Sequence, residues 1–442
     1  MTPLKYHRTP FINPTVRWIL TNRSWSLLSG PLSIFFIITF LSKETQGIWY
    51  TFLNLSMLTV FAELGFTVLI AQRVSHEFAF LELKNGYVVG DRQQLDHLFS
   101  LIRHSFKLYS LIIPIAITIL IVIGYYWFGN QENIIFIAWV TYSIISGINL
   151  IVALLQSVYE GLNKIADIQK NMLFGSVLRT LFTWFLLVSG FGIWALVMAS
   201  ALSLMLMSYL LFRISPRFWT QIFKHEIIDK HEWSRELIPL QLRYAISWIS
   251  GYFIFQLLVP VTFKLKGAVL AGQLGLTMTI ISFITSSSNA WLYSKIPEMN
   301  MLVAKNETRE LLSLFWNNYF KGLIFYLMGG GFFLVIIIII DHFNFYADRF
   351  IGYISVVVLL LINVAYLTLS SLAMYLRSHK KEPFYLLSVV QAILMSFSIL
   401  YLMTNYSLNI VLVSICFIYW LIILPLGSLI FMKYRRADLM YL

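Results

Sequence analysis

The sequence predicts an all-α integral membrane protein with about twelve transmembrane helices. Of its 442 residues, 59% are hydrophobic and only 12% are charged, whereas soluble domains carry about 45–50% apolar and about 25% charged residues. The mean hydropathy is +0.77. Long apolar runs recur along the chain, and the aromatic share of 17% suits rings that settle at the two lipid–water interfaces. Lipid is therefore the expected solvent for most of the surface.

Twelve apolar runs are long enough to cross a membrane, because about 20 helical residues span about 30 Å of hydrocarbon. The first run follows a basic segment and lacks the small-residue cleavage pattern of a signal peptide, so we expect it to remain as a span. The predicted spans are 24–41, 46–70, 106–128, 133–157, 166–189, 191–213, 238–261, 268–290, 317–340, 350–374, 383–403 and 407–432.

The positions of Lys and Arg predict the orientation of the chain. Short cytoplasmic loops are enriched in these residues, and with both termini in the cytoplasm the inside segments hold 27 of the 32 Lys and Arg residues. The net charge of +12 is therefore interpreted as a topology signal, and no nucleic-acid partner is predicted. The five exceptions are Lys43, Lys264, Lys266 and Arg349 in outside segments and Arg179 within a span.

A long linker divides six spans from six. The predicted parts are a cytoplasmic segment 1–23, a six-helix bundle 24–214, the linker 215–237, a second six-helix bundle 238–432 and a cytoplasmic tail 433–442. Weak similarity between the halves supports a duplication: in each half a Ser-Trp pair opens the first helix, and Gly47 or Gly272 comes early in the next. An even number of spans per half makes the repeats parallel. Chance likeness between apolar helices is the alternative.

The cytoplasmic segment 74–107 alternates charged and apolar residues at helical spacing, and it predicts an amphipathic helix along the inner membrane surface. Its histidines, His76, His97 and His104, are interpreted as solvated residues rather than metal ligands. The chain contains one cysteine, Cys416, so it cannot build a disulfide framework or a thiolate metal site. We predict no metal site.

Few ionisable residues fall at membrane depth, where a charge costs about 2.5–3.5 kcal/mol. Arg179 lies deep in the fifth span, and it either pairs with phosphate or another anion or is satisfied by backbone carbonyls or Glu63. Glu63, near the inner end of the second span, either pairs with an arginine, hydrogen-bonds a sugar, takes up a coupling proton or cation, or supports a neighbouring helix. Glu160 and Gln156, at the inner end of the fourth span, are expected to line the cytoplasmic mouth or to cap the helix.

Arginines stand at the cytoplasmic entrances of corresponding helices in the two halves. Arg23 opens the first span and Arg243 the seventh, and together with Arg73 they could gather an anionic headgroup from the inner leaflet. Ordinary positive-inside flanking is the alternative for each of them.

Several catalytic patterns are absent from the sequence. There is no glycine-rich phosphate loop ending in Lys-Ser or Lys-Thr. No outside loop carries a pair of carboxylates, and the outside loops are too short for the large external loop expected of a glycan polymerase. We predict no catalytic residues, and the chain is interpreted as a conduit rather than an enzyme.

The segment KETQGIWYTFLNLSMLTVFAELGFTVLIAQRVS resembles the polysaccharide-transport branch of the multidrug/oligosaccharidyl-lipid/polysaccharide exporter superfamily. The similarity lies in Gly47 near the start of the second span, followed by Trp49 and Tyr50, and in an acidic-Leu-Gly motif near its end. That motif usually has Asp, so Glu63 departs from the family pattern. The likeness covers nearly the whole chain through its twelve spans.

The resemblance implies two six-helix bundles, as in multidrug exporters of this superfamily, that surround a cavity and alternate between inward and outward access. The implied cargo is an undecaprenyl-diphosphate-linked oligosaccharide, flipped across the bacterial inner membrane for O-antigen, capsule or related glycan assembly. Arg179 would contact the diphosphate or an acidic sugar, and Arg23 and Arg243 would guard entry. Membrane lipids, a polymerase and glycosyltransferases of the same pathway are the implied partners.

Two other functions stay open at this stage. A multidrug cation antiporter of the same fold is the main alternative, although such a cavity would favour buried carboxylates, and this chain has more basic than acidic candidates at depth. A membrane-embedded glycan polymerase or glycosyltransferase is the other. No cofactor is predicted, and either a proton or a sodium gradient could drive transport.

Overall fold

The computed structural model describes residues 14–59, 63–129, 131–228, 233, 249–305, 307–343, 346–379 and 383–440. Within them ten helices are long and apolar enough to cross a membrane, and they coincide with ten of the twelve predicted spans. The protein is therefore an all-α, multi-pass membrane protein. Of the other two predicted spans, 46–70 is interrupted, and residues 238–248 of the run 238–261 lie outside the described residues.

The described residues are helical apart from one β-hairpin and connecting segments. Residues 249–255 are helical, Ala347–Arg349 form a 3-10 turn, and Ser398–Leu402 and Ile418–Ile423 are π-helical. The numbered elements are α1 (Pro14–Phe40), α2 (Lys43–Ser56), α3 (Phe66–Phe78), β1 (Leu81–Lys84), β2 (Tyr87–Gly90), α4 (Arg92–Phe128), α5 (Asn133–Gly161), α6 (Ile165–Val188), α7 (Trp194–Ile214), α8 (Pro216–Lys224), α9 (Leu258–Lys266), α10 (Ala268–Tyr293), α11 (Ile296–Ala304), α12 (Thr308–Phe343), α13 (Tyr353–Ser378), α14 (Tyr385–Phe397), α15 (Met403–Asn405), α16 (Leu408–Phe417) and α17 (Leu424–Met440).

The second predicted span is interrupted among the residues that the structure describes on either side of 60–62, so the prediction of a continuous helix over 46–70 is wrong. α2 ends at Ser56, and α3 begins only at Phe66. Immediately before α3, Leu64 has a φ of 56° and Gly65 a φ of 75°. Two successive left-handed residues cannot be part of a right-handed helix, and the hydropathy of the run does not reveal them.

The chain folds as two compact units, one formed by residues 1–41 and 56–245 and the other by 42–55 and 246–442. The predicted boundary at 214/215 stays a prediction. Residues 42–55, which the sequence places in the first bundle, pack within the second unit.

α2 is joined to the second unit at its outer end. The Gln46 side chain donates to the carbonyl of Gly272 at 3.0 Å and to that of Arg349 at 3.3 Å, and Lys43 forms an ion pair with Asp348. Gly47 meets α10 backbone to backbone, because a Cβ on Gly272 would lie 2.7 Å from the amide nitrogen of Gly47. The two glycines that the internal similarity aligns are therefore in contact within the second unit.

The cytoplasmic segment after α3 is a β-hairpin followed by α4, so the prediction of an amphipathic helix over 74–107 is wrong. Strands β1 and β2 pair antiparallel, with Lys84 opposite Tyr87. The turn is Asn85-Gly86, with φ values of 55° and 84°, which is the sequence preferred in two-residue hairpin turns. This local turn chemistry overrides the helical spacing of the charges.

The hairpin and α8 lock together in the first unit. The Gln221 side chain accepts from the amide of Val88 and donates to its carbonyl, both at 2.8 Å. It thereby occupies hydrogen-bonding groups on the edge of β2 that would otherwise be open to another strand. Phe218 and Trp219 on the inner face of α8 are buried, and the Trp219 indole donates to the Tyr159 hydroxyl at 2.9 Å.

Candidate functional site

Helices α1 and α6 lie side by side and run in the same direction. Asn22 donates to Gln169 at 3.5 Å, and farther along the Trp184 indole donates to Ser33 at 3.0 Å. The Phe36 ring stacks on Trp184 with centroids 5.0 Å apart. Because the residue numbers of both helices rise together along these contacts, the pair is parallel.

α6 exposes two opposite ridges of different chemistry. One ridge is apolar, and its side chains are 47–63% exposed. The other ridge carries Arg179, which is exposed, together with the partly exposed Ser176 and Thr183. An apolar ridge on a membrane helix suits lipid, whereas a charged side chain at membrane depth needs a polar environment. We therefore assign the Arg179 ridge to the side away from lipid. The apolar ridge is formed by Phe174, Leu181, Phe185 and Val188.

Arg23 lies on the same side of the α1–α6 pair as Arg179. Successive residues of a helix turn by about 100°, so Arg23 is turned about 100° from Asn22, which faces α6. Arg179 is turned about 80° in the opposite sense from Gln169, which faces α1. In two parallel helices, opposite turns from facing residues lead to one side of the pair. By the same count the exposed Leu28 and Leu181 lie on the other side.

The two arginines stand at different depths on this side. Counted from the Asn22–Gln169 contact, Arg179 is nine residues farther along its helix than Arg23, which corresponds to about 14 Å. Neither guanidinium has a hydrogen-bond or ion-pair partner among the residues the structure describes. The structure thus offers two open cations in sequence, from the cytoplasmic part of α1 toward the middle of α6.

The site residues predicted from the sequence do not include the polar neighbours of these arginines. Ser26 stands one turn after Asn22 on α1, and its hydroxyl donates to the Asn22 carbonyl at 3.0 Å. On α6, Ser176 and Thr183 flank Arg179 at spacings of three and four residues. These spacings are visible in the sequence and place each residue on one helix face, but the helix that faces them is not visible there.

Three other candidate residues lie at the end of α3 and toward the end of α5, the ends that the sequence predicts to face the cytoplasm. Gly161 packs against Val74, because a Cβ on Gly161 would meet the Val74 side chain at 2.5 Å, so the two helix ends meet. Arg73 beside Val74 is half-buried, Glu160 beside Gly161 is exposed, and Gln156 one turn earlier on α5 is half-buried. The last candidate, Arg243, lies outside the described residues.

Glu63 is a buried helix cap. Its side chain is 5% exposed, and one carboxylate oxygen accepts from the backbone amide of Thr67 at 3.0 Å. The carboxylate also lies beside the hydroxyl of Tyr109. Because the first amides of a helix lack partners within the helix, this carboxylate stabilises the start of α3 directly after the two left-handed residues. The geometry favours the structural reading of Glu63 over contact with cargo.

A pair of substitutions separates the capping role of Glu63 from ion coupling. Glu63→Gln keeps an oxygen acceptor, and we expect it to retain at least half of the wild-type transport rate. Glu63→Ala removes the acceptor, and we expect it to destabilise the protein by about 1–2 kcal/mol, measured as a lower midpoint of thermal unfolding in detergent.

Glu310→Gln, which alters an exposed carboxylate in the first turn of α12, is the matched control for both measurements. Loss of transport in Glu63→Gln at wild-type thermal stability would instead assign proton or cation coupling to Glu63.

Among the described residues no group of three or more His, Cys, Asp or Glu side chains could hold a metal ion. No protein-family model matches the chain, and no curated protein matches it either.

Solved structures do match it over almost its whole length. An inward-facing multidrug resistance MATE family transporter of the MOP superfamily aligns with a TM-score of 0.66 at 12% identity, covering 95% of this chain and 98% of that one. This is the fold of MOP superfamily transporters. The lipid II flippase MurJ in an inward closed conformation aligns with a TM-score of 0.63 at 13% identity, covering 95% and 91%.

A third match is a MOP superfamily transporter from Pyrococcus furiosus, whose binding pocket is described as having reversed polarity. It aligns with a TM-score of 0.55 at 14% identity and covers 97% of both chains. Solved proteins with this fold therefore include multidrug transporters, a lipid II flippase and a transporter whose pocket has reversed polarity. The fold alone does not distinguish between these functions.

Proposed function

We propose that this protein is a flippase of the bacterial inner membrane. It moves undecaprenyl-diphosphate-linked oligosaccharide, such as an O-antigen, capsule or related repeat unit, from the cytoplasmic to the periplasmic leaflet by alternating access. The observation that carries the proposal is the placement of Arg23 and Arg179 on one side of the α1–α6 pair, away from the apolar ridge. A guanidinium binds phosphate oxygens through two parallel hydrogen bonds, so this side suits an anionic headgroup.

The fold supports a transporter rather than an enzyme, and one protein with this fold is a lipid II flippase. Lipid-linked cargo also accounts for the different depths of Arg23 and Arg179. The diphosphate would be drawn in at Arg23, with Arg73 and Arg243 contributing at the entrance, and held at Arg179. Glu160 and Gln156 would line the cytoplasmic mouth. Glycosyltransferases of the same pathway would act on the cargo before this step, and a polymerase would act on it afterwards.

A multidrug cation antiporter is equally compatible with the fold, because other matching structures are multidrug transporters. A cationic drug needs an anionic or aromatic cavity, however, and an exposed arginine in that position would repel it. In the first unit the membrane-depth carboxylate Glu63 is buried and caps a helix. Anionic cargo fits the described side chains better.

Complementation tests the proposal directly. The wild-type chain is expressed in a panel of strains, each deleted for its own O-unit or capsule flippase, and surface glycan is measured. We expect restored surface glycan in at least one background and no change in resistance to cationic drugs. If no glycan background is rescued while drug resistance rises, the antiporter function replaces the flippase function.

A further inference from the structure

The linker after α8 is attached to one face of α4. The part of α4 before residue 106 precedes its predicted span. On this part, Asp96, Ser100 and Arg103 follow one another at spacings of four and three residues, so their side chains share a face. Each of the three contacts the chain between α8 and residue 233, and these contacts lie within the first unit.

The contacts begin at the end of α8. The Arg103 guanidinium donates to the carbonyls of Ile222 and His225, which are among the last carbonyls of that helix and lack partners within it. The Asp96 carboxylate then contacts the His225 ring nitrogen Nε2 at 2.6 Å and accepts from the amide of Ile228 at 2.9 Å.

The attachment ends at Trp233, whose indole donates to the hydroxyl of Ser100 at 2.9 Å. The Trp233 side chain is 3% exposed, and the ring of His97 packs edge-on against it with centroids 6.5 Å apart. His97 in turn lies 3.6 Å from Glu77 of α3. The linker is therefore held at three successive points by side chains that α4 presents on one face.

Burial makes this attachment costly to open. Asp96 is only 1% exposed, and its carboxylate is satisfied by His225 and the Ile228 amide. Separating the linker from α4 would break these buried contacts of Asp96 at the same time as the hydrogen bonds of Arg103 and Trp233, and hydrogen bonds that involve a charged group are stronger than ordinary ones. A contact with this cost suits a permanent anchor rather than one that opens in every cycle.

We propose that Asp96, Ser100 and Arg103 form a linker anchor, which keeps residues 222–228 and Trp233 fixed to the first unit throughout the transport cycle. The connection to the second half then starts after Trp233, although the sequence places the start of the linker at residue 215. Asp96 is the positioning residue of the anchor. It acts on the linker and not on the cargo, so the anchor operates whichever substrate is carried.

Hydrogen exchange tests the attachment without any knowledge of the cargo. In Asp96→Ala the amide of Ile228 loses its acceptor, and we expect its exchange to accelerate at least about tenfold as the segment opens locally. Asp91→Ala is the matched control, because Asp91 caps the same helix through the amide of Gln93 and has no hydrogen bond or ion pair with residues 222–228 or Trp233, the part of the linker that the structure describes. Equal exchange at Ile228 in both variants would overturn the anchor.

Cross-linking tests whether the anchor stays closed during transport. Cys416 is the only cysteine, so Cys416→Ser gives a background without reactive thiols. In that background, Asp96→Cys and His225→Cys together should lower transport at least threefold, and a short bifunctional thiol reagent that rejoins the two positions should restore it. Full activity before cross-linking, or failure of the cross-link to restore transport, would overturn the proposal.

Discussion

Replacing Gly47 with alanine should lower the thermal unfolding midpoint of the protein in detergent by about 10 °C, and Gly47→Leu should leave almost no folded protein. A Cβ at Gly47 would overlap the backbone carbonyl of Ala268. The obstacle is backbone rather than a flexible side chain, so α2 and α10 must move apart. Overpacking of this kind costs about 1–3 kcal/mol or more, and about 3 kcal/mol corresponds to roughly 10 °C at 2–4 °C per kcal/mol.

The measurement is fluorescence-detected size exclusion after heating, at matched membrane expression. Gly331→Ala is the control, because a Cβ there meets nothing within 4 Å and alanine is favoured over glycine within a helix. Gly272→Ala should resemble Gly47→Ala, since its Cβ would lie 2.7 Å from the Gly47 amide nitrogen. A Gly47→Ala unfolding midpoint within 2 °C of that of Gly331→Ala would contradict the prediction, because α2 and α10 would then move apart at little cost in stability.

The second large effect is expected at Arg179. Arg179→Ala and Arg179→Gln should reduce transport of lipid-linked oligosaccharide by about 10- to 100-fold, because a hydrogen bond to a charged group contributes about 1.5–3 kcal/mol. Arg179→Glu should abolish transport by repelling the diphosphate. Arg179→Lys should retain part of the rate, since lysine keeps the charge but loses the two-pronged geometry.

Arg17→Ala is the matched control for this series. Arg17 is also an exposed arginine, but it stands over the Trp18 ring at 5.4 Å near the cytoplasmic end of α1. We expect it to change transport by less than twofold. Equal losses in Arg17→Ala and Arg179→Ala would indicate a general charge effect, and improved export of cationic drugs in Arg179→Ala would favour the antiporter function.

Hydropathy predicts most of the fold, because a helix that crosses lipid must be apolar over a length set by the bilayer. Hydropathy does not predict the structure where backbone conformation, rather than composition, determines it. The residues before α3 are as apolar as a continuous span, and the left-handed conformation of Leu64 and Gly65 leaves no mark in an average over many residues. At Asn85-Gly86 the turn signal is present in the sequence, and the charge spacing around it concealed the signal.

The candidate site is predictable only in part for a related reason. The depth of Arg179 follows from its position within an apolar run, whereas its side of the bundle depends on the pairing of α1 with α6. That pairing rests on contacts such as Asn22–Gln169, between residues 147 positions apart, which one sequence does not reveal. The capping role of Glu63 was equally hidden, because it exists only once the helix is broken beside it.

The packing of α2 with the second unit has a consequence for biosynthesis. Gln46 contacts residues that lie 226 and 303 positions later in the chain. At about 5–20 residues per second, Gly272 leaves the ribosome roughly 10–45 s after Gln46, and Arg349 later still. During that time the face of α2 that carries Gly47 contacts insertion factors or lipid instead of α10. A C-terminal half synthesised alone would lack this helix, so successful expression of split proteins should require residues 42–55 to be supplied with it.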